Sequence, residues 1–201
     1  LALLGWNPGT DQEIFTLDEL VQAFSLEKVS KSGARFSPEK ATWFNHQYLQ
    51  QKSTEELLPA FEEVLKEKGI NASSDLNIKV IELLKERANF VQDILTQGEF
   101  FYIAPSSYDE KAAKKAWKDD SKEILNKFIE VLNTSDFNAE TLHDVMANFV
   151  TTQEIGFGKI GMPLRLSLVG ALQGPDVPVI MATLGKEETI ARINKIIEVL
   201  G

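Results

Sequence analysis

Basic side chains interleaved with aromatic rings are the clearest chemical pattern in this sequence. From Lys28 to Thr54 there are five basic residues, Lys28, Lys31, Arg35, Lys40 and Lys52, and one acid, Glu39. Trp43, Phe44 and Tyr48 lie among them. From Ile155 to Pro175 there are Lys159 and Arg165 and no acid. Cationic groups neutralise phosphates and flat rings stack on unpaired bases, so this pattern suits a looped nucleic acid. The competing reading places Trp43, Phe44 and Tyr48 in a core. The whole chain carries a net charge of −9, which argues against nucleic acid as a general partner. The two acid-poor windows hold +4 and +2, so the remaining residues hold −15. Any phosphate-binding face must therefore be local.

Other arrangements carry less. Gly156-x-Gly158-x-x-Gly161 has the letters of a dinucleotide loop, but no strand precedes it, so it reads as a flexible turn before Pro163. Lys28-Val29-Ser30-Lys31-Ser32 resembles the KMSKS signature of class I aminoacyl-tRNA synthetases. That signature works beside a Rossmann sheet, which the pattern here lacks, so a basic loop is the reading. His46 and His143 are far apart, with few acids nearby, and His46 reads as a surface or partly packed residue on an aromatic helix. Glu62, Glu63 and Glu67 stand beside lysines, as solvated helix faces do. No catalytic residue and no metal ligand is assigned. With no cysteine among 201 residues, disulfides, thiolate zinc sites and cysteine nucleophiles are excluded. No apolar run approaches the ~20 residues of a membrane span. Hydrophobic residues at 43% and charged residues at 25% are those of a globular domain with a real core.

The elements that must position these residues read as helices. Thr16 with Glu19, and Ser53 with Glu56, form capping boxes ahead of apolar residues at helical spacing. Ser37-Pro38-Glu39 opens the helix that carries Trp43, and Pro59 predicts a kink or break in the next. Asp75 to Arg87 and Phe90 to Thr96 are helical, the latter ending at Gly98. Phe100-Phe101-Tyr102-Ile103 is the best strand candidate and reads as an apolar plug between helix layers. Pro105-Ser106-Ser107 is the most linker-like interior point. Helices from Asp109, before Ile124, after Asn138, around Leu168 and through Ile190 to Leu200 complete an all-α chain of two or three subdomains. Residue 1 is Leu, and Leu1-Ala2-Leu3-Leu4-Gly5 reads as the tail of a helix closed by glycine. A fragment of a larger protein is the expectation.

Two long blocks carry a resemblance. LALLGWNPGTDQEIFTLDELVQAFSLEKVSKSGARFSPEKATWFNHQYL and GKIGMPLRLSLVGALQGPDVPVIMATLGKEETIARI closely resemble bacterial glutamyl-tRNA synthetases, beyond their catalytic half. The resemblance implies that residues 1–52 end a stem-contact region, and that 53–105 and 106–201 are two helical anticodon-binding subdomains. It implies tRNA(Glu) as partner to a cytoplasmic monomer, with ATP and Mg2+ used by a catalytic domain lying upstream and absent here. The fragment alone would then be inactive. By the same resemblance, Arg87 in IELLKERANF reads the third anticodon base, with Lys85 a neighbouring competitor and a plain surface charge the alternative. Arg165 in MPLRLSL is the family's second anticodon-reading arginine. Gly174, Pro175 and Val177 match the loop at the first base, although family members often have Thr at 174, and Pro178 also departs from the pattern. Lys31, Arg35 and Trp43 fall in the stem-contact region, with phosphate contact and packing both open.

Overall fold

A computed structural model describes residues 2–31, 33 and 35–201. The α-helices among them are α1 (Leu17–Ala23), α2 (Pro38–Gln51), α3 (Thr54–Glu67), α4 (Ser74–Leu84), α5 (Val91–Gly98), α6 (Glu110–Ala116), α7 (Ser121–Thr134), α8 (Ala139–Thr152), α9 (Phe157–Val169), α10 (Val177–Leu184) and α11 (Lys186–Leu200). Short 3-10 turns lie at Ala2–Leu4, Leu26–Lys28, Lys85–Arg87 and Glu99–Phe101. The extended pairing among the described residues is one isolated bridge, Trp6 to Val29, so the fold is all-α as the periodicity predicts.

Helix starts follow from side chains that satisfy orphan amides. The Thr16 hydroxyl accepts from the Glu19 amide at 3.2 Å, and the Glu19 carboxylate accepts from the Thr16 amide at 2.7 Å. Ser53 and Glu56 repeat the box at 3.2 and 2.7 Å. Ser37 caps α2 through the Lys40 amide, and Asn138 caps α8 through the Thr141 amide.

The core is one continuous apolar cluster running from Leu49 of α2 to Ile196 of α11. α3 packs on α4 and α5 around Phe61, Leu65, Val80 and Ile81. α9 is the hub of the second half and touches α6, α7, α8, α10 and α11. Leu164, Leu166 and Leu168 of α9 have no exposed surface. Each such side chain contributes about 1.5–3 kcal/mol by leaving water.

Several local expectations give way. α3 runs through Pro59 without a break, because Pro59 is on the solvent face and water can take the carbonyl it leaves unpaired. Gly156 is the N-cap of α9, and Gly158, Gly161 and Pro163 lie inside that helix, so the predicted flexible turn is a helix start. Phe100 and Phe101 are buried in a 3-10 turn, which makes them a plug and not a strand. Trp43 and Tyr48 are exposed on α2, whose buried residue is Leu49, so neither ring is core. A 3-10 turn at Ala2–Leu4 stands in place of the helix tail, and Gly5 is not left-handed. Leu1 lies outside the described residues, as do Ser32 and Ala34.

The segment at 104–109 is tightly held. Gly170 ends α9 with φ +81°, and its carbonyl accepts from the Asp109 amide at 2.8 Å. A Cβ there would come within 2.9 Å of both Pro105 Cβ and the Ser107 carbonyl oxygen. Gly170→Ala combines a disfavoured φ with that collision, and should cost about 2–4 kcal/mol in urea unfolding. A loss below about 0.5 kcal/mol would show that residues 104–109 yield freely.

α1 buries no residue and depends on its cap. The Thr16 amide holds the Glu19 carboxyl below its ordinary 4.5. A folded value below the unfolded one adds stability above that ordinary value, and the contribution is lost as pH falls through the folded value. The Cα chemical shifts of α1 should move toward coil below about pH 4, and the drift should be much flatter in Glu19→Gln.

Candidate nucleic-acid interface

Arg165 lies on α9, half-buried, facing the loop that leads into α10. Its Nη1 donates to three successive carbonyls, those of Gln173 at 3.2 Å, Gly174 at 3.2 Å and Pro175 at 2.5 Å. The loop therefore wraps one corner of the guanidinium. Nε and Nη2 donate to nothing among the described residues. Burial pulls the Arg165 pKa below its ordinary value, the Asp176 carboxylate opposes that shift, and the charge of Arg87 adds to it. Arg165 remains cationic at neutral pH. The two arginines, far apart in sequence, stand within electrostatic reach of each other.

Gly174 takes φ +108°, and a Cβ on it would lie 3.4 Å from the Phe100 ring and 3.7 Å from Arg165 Nη1. A β-branched Thr is disfavoured in that conformation, which accounts for glycine here. The Gly174 and Asp176 amides donate to no described group. Val177 is buried, and Pro178 occupies the second position of α10, where its missing N–H costs no helical bond.

The turn carrying Arg87 is stitched on both sides. Gln50 Nε2 donates to the Lys85 carbonyl at 2.8 Å, and His46 Nδ1 donates to the Ala88 carbonyl at 2.8 Å. Asn45 Nδ2 donates to the Asn89 carbonyl, and Gln97 of α5 donates to the Arg87 carbonyl at 3.1 Å. His46 is partly packed, as the sequence predicts. Lys85, the competitor of Arg87, turns inward and donates to the Lys52 carbonyl. The Arg87 side chain is exposed and makes no hydrogen bond or ion pair with a described residue.

Among the stem candidates, Lys31 and Arg35 are exposed and form no ion pair with a described residue. Trp43 is 40% exposed and meets the Phe44 ring edge-on at 5.0 Å. Other members of the basic windows are committed internally. Lys28 donates to the Pro8 carbonyl at 2.6 Å, Lys40 pairs with Glu13, and Lys159 pairs with Asp120. A cleft of about 420 Å³ separates the N-terminal arm from α2, lined by Phe15, Arg35, Phe36, Lys40, Phe44 and Tyr48.

Arg192 escapes the sequence reading. It is 4% exposed, and its Nη1 donates to the carbonyls of Phe100 at 2.6 Å and Leu168 at 2.7 Å. Its Nε donates to Glu188 at 2.7 Å. The available signal was its place beside buried Thr189, Ile193 and Ile196 on the inward face of α11.

Comparison with known proteins gives the family. Residues 39–197 match the model of a family described as the anticodon binding domain. The chain belongs to that family. This anticodon binding domain is 47% identical to the glutamate–tRNA ligase of Flavobacterium johnsoniae and 48% identical to that of Christiangramia forsetii. Each alignment covers 100% of this chain and 40% of the relative. The crystal structure of a glutamate tRNA ligase from Elizabethkingia meningosepticum, in complex with its amino acid, is 50% identical. It superposes with a TM-score of 0.95 over 100% of this domain and 40% of that chain. The domain thus spans about 40% of the length of the relatives it matches.

Arg192→Met strands two buried carbonyls of this anticodon binding domain and should cost about 3–5 kcal/mol in denaturant unfolding. A cost under about 1 kcal/mol would mean the pin is dispensable.

Proposed function

We propose that this chain recognises the anticodon arm of tRNA(Glu), as the C-terminal part of a glutamate–tRNA ligase. The observation that carries the reading is Arg165, anchored by one corner in the loop carbonyls while its other donors stay open, with Arg87 within electrostatic reach. A planar guanidinium aimed this way matches paired acceptors on a base edge.

In this reading Arg165 takes the second anticodon base and Arg87 the third, which would favour a parent enzyme that discriminates against tRNA(Gln). Gly174, Pro175 and Val177 serve the first base through backbone groups, and the open Gly174 and Asp176 amides support that. Lys31, Arg35 and Trp43 face the stem, and their exposure supports contact over packing. The assignment divides the chain into a stem-contact end at 1–52 and helical subdomains at 53–105 and 106–201.

The parent would ligate glutamate to tRNA using ATP and Mg2+, as a cytoplasmic monomer. That chemistry belongs to the part of the relatives this chain does not cover. Among the described residues, no three His, Asp or Glu side chains stand together as metal ligands. No helix described is long and apolar enough to cross a membrane. The chain alone would bind without catalysing.

Binding of an anticodon stem-loop of tRNA(Glu) should weaken as salt rises, since phosphate contacts release counterions. Arg165→Ala should weaken it by about 10–100-fold, the range for a hydrogen bond to a charged group. Equal affinity at low salt for an unrelated anticodon, measured by fluorescence titration, would end the assignment.

A further inference from the structure

We propose that Asn45, His46 and Gln50 of α2 are positioning residues for Arg87, and that third-base selectivity depends on the hydrogen bonds they give to the 85–89 turn. The inference rests on the assignment of Arg87 to the third base. Four carbonyls of the turn, those of Lys85, Arg87, Ala88 and Asn89, accept from side chains of α2 and α5. The Lys85 carbonyl also accepts from the Ala88 amide at 3.1 Å, but those of Arg87, Ala88 and Asn89 take no backbone donor among the described residues, so these side chains decide how the turn is oriented. The Arg87 side chain has no described partner of its own, so its backbone is what aims it. A carbonyl oxygen can only accept, so the bond from His46 requires hydrogen on Nδ1. Between these donors on the same face, Leu49 is 5% exposed and anchors α2 in the core. Removing a donor therefore leaves the helix docked and frees the turn.

The test uses the 201-residue chain and two RNA anticodon stem-loops that differ solely at the third anticodon base, C or G. Wild type should prefer C, and Arg87→Ala should abolish that preference. A His46→Leu, Gln50→Leu double variant should lower the preference about tenfold, with affinity for the G stem-loop changed less than about twofold. His46→Asn, which places an amide donor near the position of Nδ1, should keep most of the preference. Should the double variant not fold by circular dichroism, Gln50→Leu alone should lower the preference about threefold. Folded variants that keep the wild-type preference overturn the inference, as does an equal loss of affinity for both stem-loops, which marks a merely structural role. A wild type without preference, or an Arg87→Ala variant that retains it, overturns the assignment of Arg87 and the inference with it.

Discussion

A guanidinium sealed inside the protein holds the candidate surface together. Arg192 gives hydrogen bonds to the Phe100 and Leu168 carbonyls and to Glu188. A cation taken from water is tolerable only when its donors are met, and here two carbonyls and a carboxylate meet it. The consequence is directional. Arg192 holds the backbone of the plug, the Phe100 ring of that plug lies against Gly174, and the Gly174 loop closes around Arg165. Removing the first contact loosens the support of each that follows.

Contacts within one turn of helix were legible in the sequence, and contacts across the fold were not. The boxes at Thr16 and Ser53 are local hydrogen bonds, so the letters specify them. Apolar spacing likewise located the inner faces of α3, α7 and α11. Pro59 signalled a kink or a break, and the break does not occur because its cost depends on whether water reaches the freed carbonyl, which is a tertiary fact. The glycines at 156–161 misled because a helix packed on five others overrides low intrinsic propensity. Charge windows had the same weakness. Lys40 and Lys159 lie in acid-poor stretches but find Glu13 and Asp120 elsewhere, and Asp176 stands one residue past a window edge. The nearness of Arg87 to Arg165 had no trace in local pattern. Resemblance named both residues, and the structure lets the charge of Arg87 be felt at Arg165.

The two candidate base-reading segments are supported in opposite ways. The 173–175 loop is gathered inward by a single side chain, with three carbonyls converging on Arg165. The 85–89 turn is held outward by many, with separate donors on α2 and α5. The first arrangement fixes Arg165 and the loop together as one unit. The second fixes only the backbone and leaves the Arg87 side chain without a described partner at its tip. The same stitched helix also carries Tyr48, whose hydroxyl donates to the Phe15 carbonyl at 2.9 Å, so α2 is fastened on both flanks.

Seven main-chain carbonyls of the two segments are spent on the protein itself, three on Arg165 and four on side chains of α2 and α5. Donors without a described partner remain on Arg87, on Nε and Nη2 of Arg165, and on the Gly174 and Asp176 amides. The exposed Glu86 and Asp176 carboxylates stand beside them as acceptors. A base edge rich in acceptors would meet donors, several of them fixed by the main chain, whereas an incoming amine would have to be met by a carboxylate on a free side chain. Preference at the contacted edge would then rest on how firmly each kind of partner is held.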